Sequence, residues 1–148
     1  MTRVLVIDDE ADLRFLIQEI LFSAGLEVTE ASSGAKGLEL LAAAEKPDVV
    51  ILDVQMPEMD GWETLATLRS RGPSPGVAVI MCTVKSHPGD AVRAWETGCD
   101  GLLGKPFAVD ELVSTIVGVA ERSEPERVAH RELELVAARR ALAGGDLP

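Results

Sequence analysis

The amino-acid sequence predicts an α/β fold, in which a doubly wound sheet of five parallel strands carries helices on both faces and a C-terminal helical extension follows. Short apolar runs alternate five times with longer segments in which apolar residues recur at intervals of three and four. The runs are typical of buried strands and the intervals of amphipathic helices. Such alternation indicates a parallel sheet covered by helices, and right-handed crossovers restrict its topology.

The first three strand–helix pairs follow from local signals. Apolar runs predict strands over residues 4–7, 26–31 and 49–52, and the third is apolar throughout, as in a strand buried on both faces. Each run is followed by a segment of helical period. Gly25 is a suitable stop for the first helix, and Ser33 is a candidate N-cap for the second.

The last two pairs repeat the pattern. Residues 77–82 and 102–103 form apolar runs, with a helix predicted from about Pro88 to Thr97 after the first of them. The fifth helix carries apolar residues from Leu112 onwards at helical spacing. For five such pairs we expect a flavodoxin-like strand order.

Residues 122–148 differ from the rest because they are rich in Glu, Arg and Ala. Three apolar residues recur there at seven-residue intervals: Val128, Leu135 and Leu142. This pattern predicts a helix, with Pro125 at its start or at a kink and Gly144-Gly145 at its end. A solvated tail and a packed or pairing helix are both consistent with it. The segment is too short for a second folded domain.

The composition excludes several classes. The net charge of -11 argues against the chain as a whole binding nucleic acid or an anionic membrane. Apolar runs stay far below the roughly 18 residues of a membrane span, and the start lacks a signal-peptide core. We therefore expect a cytoplasmic protein. Cys82 and Cys99 show no metal-ligand spacing, so we expect two reduced thiols in or near the core.

Polar side chains follow four of the five predicted strands. Asp8 and Asp9 follow the first strand, Asp53 the third, Thr83 the fourth and Lys105 the fifth. Because ligands bind beyond the carboxyl ends of parallel strands, we expect these side chains to form one site. Each alone has a common structural role, and Asp9 is a candidate cap for the first helix. Their joint placement is what indicates a site.

The chemistry of this set points to phosphoryl transfer. Three nearby carboxylates stay ionised together only around a cation, and oxygen ligands favour Mg²⁺. A carboxylate beside such an ion can act as a nucleophile and form an acyl phosphate. Lys105 would supply a positive charge for the transferred oxygens, and Thr83 a hydroxyl donor.

Three motifs resemble the receiver domains of bacterial response regulators, including the chemotaxis-receiver type. They are Ile7-Asp8-Asp9-Glu10, Leu52-Asp53-Val54-Gln55-Met56-Pro57-Glu58-Met59-Asp60-Gly61, and Lys105-Pro106-Phe107. Their order and intervals fit the family over residues 1–121. The resemblance implies a receiver domain at 1–121 and an extension or tail at 122–148, with no separate output domain. It also implies a phosphoprotein of a two-component phosphorelay.

The resemblance assigns roles to individual residues. Asp53 would be the phosphoacceptor, and Mg²⁺ would be held by Asp8, Asp9, Asp53 and the backbone carbonyl of Gln55. Lys105 would contact the phosphoryl group, Thr83 would move toward it, and the fourth helix face would relay the change. The Lys105–Pro106 peptide bond is usually cis in the family.

The resemblance also implies partners. The donor would be a histidine kinase or a histidine phosphotransfer protein, and the downstream partner would be a protein whose identity the sequence does not give. The chain would be a monomer or weak homodimer, without direct contact to nucleic acid or membrane. It would catalyse only its own phosphoryl transfer and dephosphorylation.

Two positions depart from the family pattern. Leu102 stands where an aromatic switch residue is common, and the chain contains no tyrosine. Val84 stands where a smaller residue is more usual, which predicts slow exchange with small phosphodonors. Trp62 and Trp95 are expected to be packing residues more often than partner contacts, with Trp95 the better contact candidate.

Three other functions are consistent with parts of this sequence. A haloacid-dehalogenase type phosphatase uses similar chemistry, but its first-strand nucleophile lies in an Asp-x-Asp pattern and here Glu10 follows Asp8. A module that has lost phosphorylation would usually lack one site residue, whereas this set is complete. A DNA-binding regulator would need a further domain, and the arginines of the tail fit a mixed-charge surface.

Overall fold

Five parallel strands form one sheet in the computed structural model, which describes residues 2–43, 46–72, 74–84 and 89–145. The elements in chain order are β1 (Arg3–Ile7), α1 (Ala11–Ser23), β2 (Glu27–Ala31), α2 (Gly34–Leu41), β3 (Val49–Asp53), α3 (Gly61–Arg71), β4 (Ala78–Val84), α4 (Gly89–Thr97), β5 (Gly101–Lys105), α5 (Val109–Glu121) and α6 (Glu124–Gly145). The strand order is β2-β1-β3-β4-β5. The flavodoxin-like α/β fold with a C-terminal helix is confirmed.

The sheet is buried on both faces because its central strands are apolar on both sides. Along β3, Val50 and Leu52 pack with the helices α2, α3 and α4, whereas Val49 and Ile51 pack with α1 and α5. All five residues of β3 are buried, including its last residue, Asp53. A carboxylate is therefore carried into the interior at the end of an otherwise apolar strand.

Local signals set the ends of the helices. After α1, Gly25 has φ +82°, and Leu26 N–H donates to the carbonyl of Leu21, as the glycine stop predicts. The Ser33 side chain accepts from Lys36 N–H at 3.1 Å and caps α2, which confirms that prediction. The alternative role of Asp9 as a helix cap is wrong: Glu10 is the N-cap residue of α1 and makes no side-chain cap bond.

Several boundaries differ slightly from the expected ones. β2 begins at Glu27 because Leu26 still belongs to the turn that ends α1. β4 reaches Val84 and β5 reaches Lys105, so pairing between these strands continues into the polar residues that follow the apolar runs. The predicted helix start at Pro88 lies outside the described residues, within which α4 begins at Gly89.

A reciprocal capping box starts α6. Ser123 N–H donates to Glu126 Oε1 at 2.9 Å, and Glu126 N–H donates to Ser123 Oγ at 3.3 Å. Pro125 lies in the first turn, where its missing N–H costs no helical hydrogen bond. Pro125 therefore marks the start of the helix and not a kink.

Within the described residues, the extension forms α6, which packs against the domain and is not a solvated tail. Leu135 and Ala138 pack against the core cluster that contains Trp95. The Trp95 and His130 rings meet edge to face with centroids 5.9 Å apart. Val128 is 41% exposed, so the three apolar residues at seven-residue intervals, Val128, Leu135 and Leu142, do not form one buried face. Trp95 is itself buried.

A buried carboxylate anchors the start of α6. Asp100 is 1% exposed, and its Oδ2 accepts from Arg69 Nη2 at 2.8 Å and from Val79 N–H at 2.9 Å. Its Oδ1 accepts from Arg131 Nη2 at 2.7 Å, with Arg127 Nε 3.8 Å away. We name Asp100, Arg69, Arg127 and Arg131 the arginine clasp. The expectation that the arginines of the tail form a mixed-charge surface is wrong for Arg127 and Arg131, because they neutralise the buried charge of Asp100.

Both cysteines are free and buried. Burial raises the pKa of the Cys82 thiol to about 12, and burial also raises the pKa of the Cys99 thiol. Both thiols are therefore protonated at neutral pH. Across the part of the chain that the structure describes, no helix combines the length and apolarity needed to span a bilayer.

Candidate functional site

The carboxyl edge of the sheet brings the predicted acidic and basic side chains together. Strand register aligns Ile7 with Leu52 and Val84 with Lys105, so the residues that end β1, β3 and β5 meet at one edge. Asp8 and Asp53 are buried, with 3% and 5% of their surface exposed, whereas Asp9 is exposed. Two carboxylates are thus fixed inside the edge and a third borders solvent.

The three carboxylates fit a hard divalent cation. One ligand oxygen from each of Asp8, Asp9 and Asp53 lies within 4.8 Å of the others. Carboxylate oxygens are the donors that Mg²⁺ prefers, and Mg²⁺ is commonly held by few carboxylates because it retains water. The chemistry of this donor set therefore suits Mg²⁺, which would keep several of its waters. Gln55 follows in the next loop with its side chain exposed.

Lys105 joins the two buried carboxylates. Its Nζ donates to Asp53 Oδ1 at 2.8 Å and to Asp8 Oδ2 at 3.2 Å. Burial raises the pKa of Asp53 and outweighs the hydrogen bond and charge of Lys105, which lower it. Burial acts to lower the pKa of Lys105, but its bonds to Asp53 and the nearby charges raise it. Lys105 therefore stays charged beside a carboxylate whose ionisation is costly.

The raised pKa of Asp53 has a consequence for stability without divalent cations. The folded state holds the Asp53 proton more tightly than the unfolded state, so ionisation at neutral pH costs stability that returns as the pH falls toward this pKa. We expect Asp53→Asn to have a higher midpoint of thermal unfolding than the parent at pH 7.5 in EDTA. The difference should shrink toward pH 4.5.

The matched control is Glu39→Gln, which removes one negative charge from an exposed site on α2. It should leave the midpoint almost unchanged at both pH values. Equal or lower stability of Asp53→Asn at pH 7.5 would contradict the unfavourable ionisation of Asp53.

Thr83 makes its side-chain contact with α4. It is 8% exposed, and its Oγ1 lies 3.2 Å from Asp90 Oδ2, to which it can donate, and 3.4 Å from the carbonyl of Val84. Asp90 belongs to the first turn of α4. The hydroxyl at the end of β4 is therefore linked to the helix that follows. Sequence reasoning did not identify Asp90, because an acidic residue in a first helical turn is common.

The loop after β3 is held close to Asp53 by a glycine. A Cβ on Gly61 would lie 2.3 Å from the Asp53 carbonyl oxygen and 2.7 Å from the Val54 Cα. Gly61 N–H donates to the Val54 carbonyl at 2.8 Å, and the Asp60 side chain caps α3 through Glu63 N–H. Only a residue without a side chain allows this approach, which places the loop beside the carboxylates.

Two further groups orient Asp8. Its Oδ1 accepts from Glu10 N–H at 2.9 Å, and its carbonyl accepts from Arg14 Nη1 at 2.7 Å. Arg14 lies one turn into α1 and carried no motif signal. Sequence reasoning therefore missed it, since its role depends on how α1 packs over β1.

The two residues that depart from the family pattern lie on the neighbouring strands β4 and β5. Leu102 is partly buried and packs against the cluster that contains Trp95. It also lines a cleft of about 300 Å³ with His130 of α6. Val84 is 39% exposed at the end of β4. Trp62 is buried at the start of α3, with the Arg93 guanidinium 4.5 Å above its ring.

Comparison with known proteins gives one consistent family. Residues 4–117 match the family described as "Response regulator receiver domain". The chain is 33% identical over 127 residues to the response regulator MprA of Mycobacterium bovis, covering 86% of this chain and 54% of that protein. It is 31% identical over 135 residues to the DNA-binding dual master transcriptional regulator RpaA of Synechocystis, covering 90% of this chain and 56% of that protein. The chain thus spans about half the length of these relatives.

Solved structures agree with the sequence comparisons. The chemotaxis protein CheY4 of Vibrio cholerae superposes with a TM-score of 0.73 at 32% identity, over 80% of this chain and 98% of that one. The receiver domain of NtrX from Brucella abortus gives a TM-score of 0.74 at 29% identity, over 81% of this chain and 99% of that one. The similarity covers these receiver domains almost completely.

Proposed function

The chain belongs to the response regulator receiver domain family, and from this premise we propose that it is a signalling switch that accepts a phosphoryl group on Asp53. The observation that carries the proposal is the position of Asp53. It is buried at the end of β3, 2.8 Å from Lys105 Nζ, and its ligand oxygen lies within 4.8 Å of those of Asp8 and Asp9. The Asp53 carboxylate, as the proposed nucleophile, therefore lies beside both a positive charge and further candidate metal ligands.

The chemistry follows from these side chains. One Asp53 oxygen forms a bond to phosphorus as the bond between phosphorus and the leaving nitrogen of a phosphohistidine breaks. Lys105 is in place to offset charge on the transferred oxygens. Bound Mg²⁺, held by Asp8, Asp9, Asp53 and the Gln55 carbonyl, would neutralise negative charge on the phosphoryl group. Hydrolysis of the acyl phosphate returns Asp53, so the only reactions are gain and loss of its own phosphoryl group.

The signal would leave the site through Thr83. A phosphoryl group on Asp53 offers strong acceptor oxygens to the Thr83 hydroxyl, which would then give up its bond to Asp90. Because Asp90 lies in α4, this exchange would alter the position of α4 and the packing of Leu102 beside Trp95. We propose Thr83 and Leu102 as the switch residues on this basis.

The organisation and partners follow from the family. We propose residues 1–121 as the receiver unit and residues 122–148 as its extension. The donor would be a histidine kinase or histidine phosphotransfer protein in the cytoplasm. RpaA is described as DNA-binding, and a DNA-binding partner downstream is consistent with that likeness. The net charge of -11 favours output through protein contacts and not through DNA contact by these residues.

The test is intact-mass measurement after incubation with Mg²⁺ and a small acyl-phosphate donor. We expect one added phosphoryl group on the parent and on Asp9→Asn at a reduced rate, and none on Asp53→Asn. A phosphoryl group that survives in Asp53→Asn but is lost in Asp8→Asn would instead favour the phosphatase chemistry, whose nucleophile lies on the first strand.

If the parent stays unmodified, histidine kinases would replace the small donor, because Val84 pairs with Lys105 in the sheet and its branched side chain is expected to hinder small donors. Failure with both kinds of donor would contradict the proposal and favour a phosphorylation-independent interaction module. Full signalling by Asp53→Asn would have the same meaning.

The bond between Thr83 and Asp90 makes a separate prediction. A hydrogen bond to a charged group is worth about 1.5–3 kcal/mol, so its loss should ease the movement of Thr83 toward the phosphoryl group. We expect Asp90→Ala to bind beryllofluoride, an unreactive phosphoryl mimic, about tenfold more tightly than the parent. Titration monitored by tryptophan fluorescence measures the affinity.

The control uses the same change in a Thr83→Ala background. Without the hydroxyl, Asp90→Ala should leave the affinity for beryllofluoride unchanged, because the two residues act through one bond. An equal gain in both backgrounds would show that Asp90 acts through its charge alone. It would contradict a role for the hydrogen bond between Thr83 and Asp90.

A further inference from the structure

Helix α6 presents two opposite faces, and only one of them is covered. Leu135 and Ala138 on the inner face pack against the domain, and Arg131 is tied to the buried Asp100. Arg139 on the flank adds an ion pair of 3.0 Å to Glu96 of α4. These contacts hold the 22-residue helix against α4, so its outer face is presented to solvent in a fixed orientation.

The outer face carries the residue spacing of a helix-pairing seam. Five exposed residues follow one another at intervals of three, four, three and four: Glu126, Ala129, Leu133, Val136 and Arg140. Leu133 is 71% exposed and Val136 is 46% exposed. Alternating intervals of three and four are the pattern by which two helices interlock. This seam is distinct from the apolar residues at seven-residue intervals noted in the sequence, because one of those, Leu135, packs inward.

The charges at the ends of the seam select its partner. Glu126 lies at the amino-terminal end, Arg140 at the carboxyl-terminal end, and the apolar pair lies between them. A parallel pair of such helices would place like charges together. An antiparallel pair sets Leu133 of each helix against Val136 of the other and brings Arg140 within about one helical turn of Glu126. The seam is therefore complementary to a reversed copy of itself, which is the requirement for a two-fold interface.

We propose that the outer face of α6 binds α6 of a second copy of this chain, as an antiparallel pair centred between Leu133 and Val136. The inference does not depend on the phosphorylation of Asp53. The exposed apolar side chains Phe15 and Phe22 of α1 are also seven residues apart, but Glu19 lies between them and the last turn of α1 carries no basic residue. A reversed copy of α1 would therefore find no complementary end charge, which makes α1 the appropriate comparison surface.

The first test is sedimentation equilibrium of the full chain without a phosphodonor. The apolar seam is short and the chains repel through their net charge, so we expect a weak dimer with a dissociation constant on the order of 10⁻⁴ M. Leu133→Glu should be monomeric throughout the concentration range. Phe22→Glu, which changes an exposed residue of α1, should dimerise like the parent. A parent that stays monomeric at millimolar concentration would overturn the proposal, as would loss of the dimer in Phe22→Glu alone.

The second test reads orientation by disulfide formation at the dimer interface. A mixture of Leu133→Cys and Val136→Cys chains should form a mixed disulfide at least about tenfold faster than either variant alone, because the antiparallel pair brings unlike positions together. The native thiols are buried and protonated and should not interfere. Faster coupling of each variant with itself would overturn the antiparallel arrangement.

Discussion

Replacing Lys105 by Met is expected to slow phosphorylation of Asp53 by about 100- to 1,000-fold, the usual effect of removing one preorganised donor from developing negative charge. Lys105 is the cation that contacts both buried carboxylates in the described structure, with Nζ 2.8 Å from Asp53 and 3.2 Å from Asp8. Met retains most of the chain length but no charge. The rate is measured by intact mass at saturating Mg²⁺ and a fixed concentration of acyl-phosphate donor.

A second measurement separates this effect from a damaged site. Lys105 competes with a divalent ion for the same carboxylates, so Lys105→Met should bind Mg²⁺ more tightly than the parent while it reacts more slowly. Lys36→Met, which removes an exposed lysine of α2, should change neither quantity. Weaker Mg²⁺ binding by Lys105→Met would mean that the lysine mainly maintains the shape of the site.

Asp100→Asn is expected to lower the free energy of unfolding by about 3 kcal/mol, because breaking a buried ion pair leaves uncompensated charge. The side chain of Asp100 is fully buried and faces the guanidinium groups of Arg69, Arg127 and Arg131. Burial already lowers the pKa of Arg69, and the charge of Asp100 opposes this. Asn would keep the shape but turn a neutral amide toward three cations. Urea unfolding measures the loss.

The matched control is Glu96→Gln, which removes the ion pair between α4 and Arg139 of α6. Arg139 and Glu96 are about half exposed, with 57% and 49% of their side-chain surfaces accessible. Loss of this pair should therefore lower the free energy of unfolding by about 1 kcal/mol or less. Equal losses for the two variants would mean that the arginine clasp contributes no more than a surface pair.

The fold and most of the candidate site could be predicted because their signals are local. Apolar runs define the strands, Gly25 and Ser33 define helix ends, and the carboxyl-edge rule for parallel sheets gathers Asp8, Asp53 and Lys105 from distant parts of the chain. The structure agrees with each of these. The cap at Asp9 failed because α1 begins one residue later than that cap requires, with Glu10 as the N-cap residue. Sequence does not fix a helix start to a single residue.

The remaining contacts depend on packing that no local pattern encodes. Asp90 becomes a partner of Thr83 only through the placement of α4, and Arg14 contacts the Asp8 carbonyl only because α1 lies over β1. The role of α6 is the largest such case. Its arginines look like surface charges in a mixed sequence, and the burial of Asp100 that gives them a partner is visible only in three dimensions.

The position of Cys82 allows the rate of local unfolding at the carboxyl edge of the sheet to be measured. Cys82 lies directly beside Asp53 in the strand register, and its thiol is buried with a pKa of about 12. Only the thiolate reacts with alkylating reagents, so labelling requires that the edge first separate and admit solvent. The labelling half-life of this native thiol therefore measures how often the structure around Asp53 opens. The factor by which Mg²⁺ lengthens that half-life gives the free energy by which the bound ion stabilises the closed state against local unfolding.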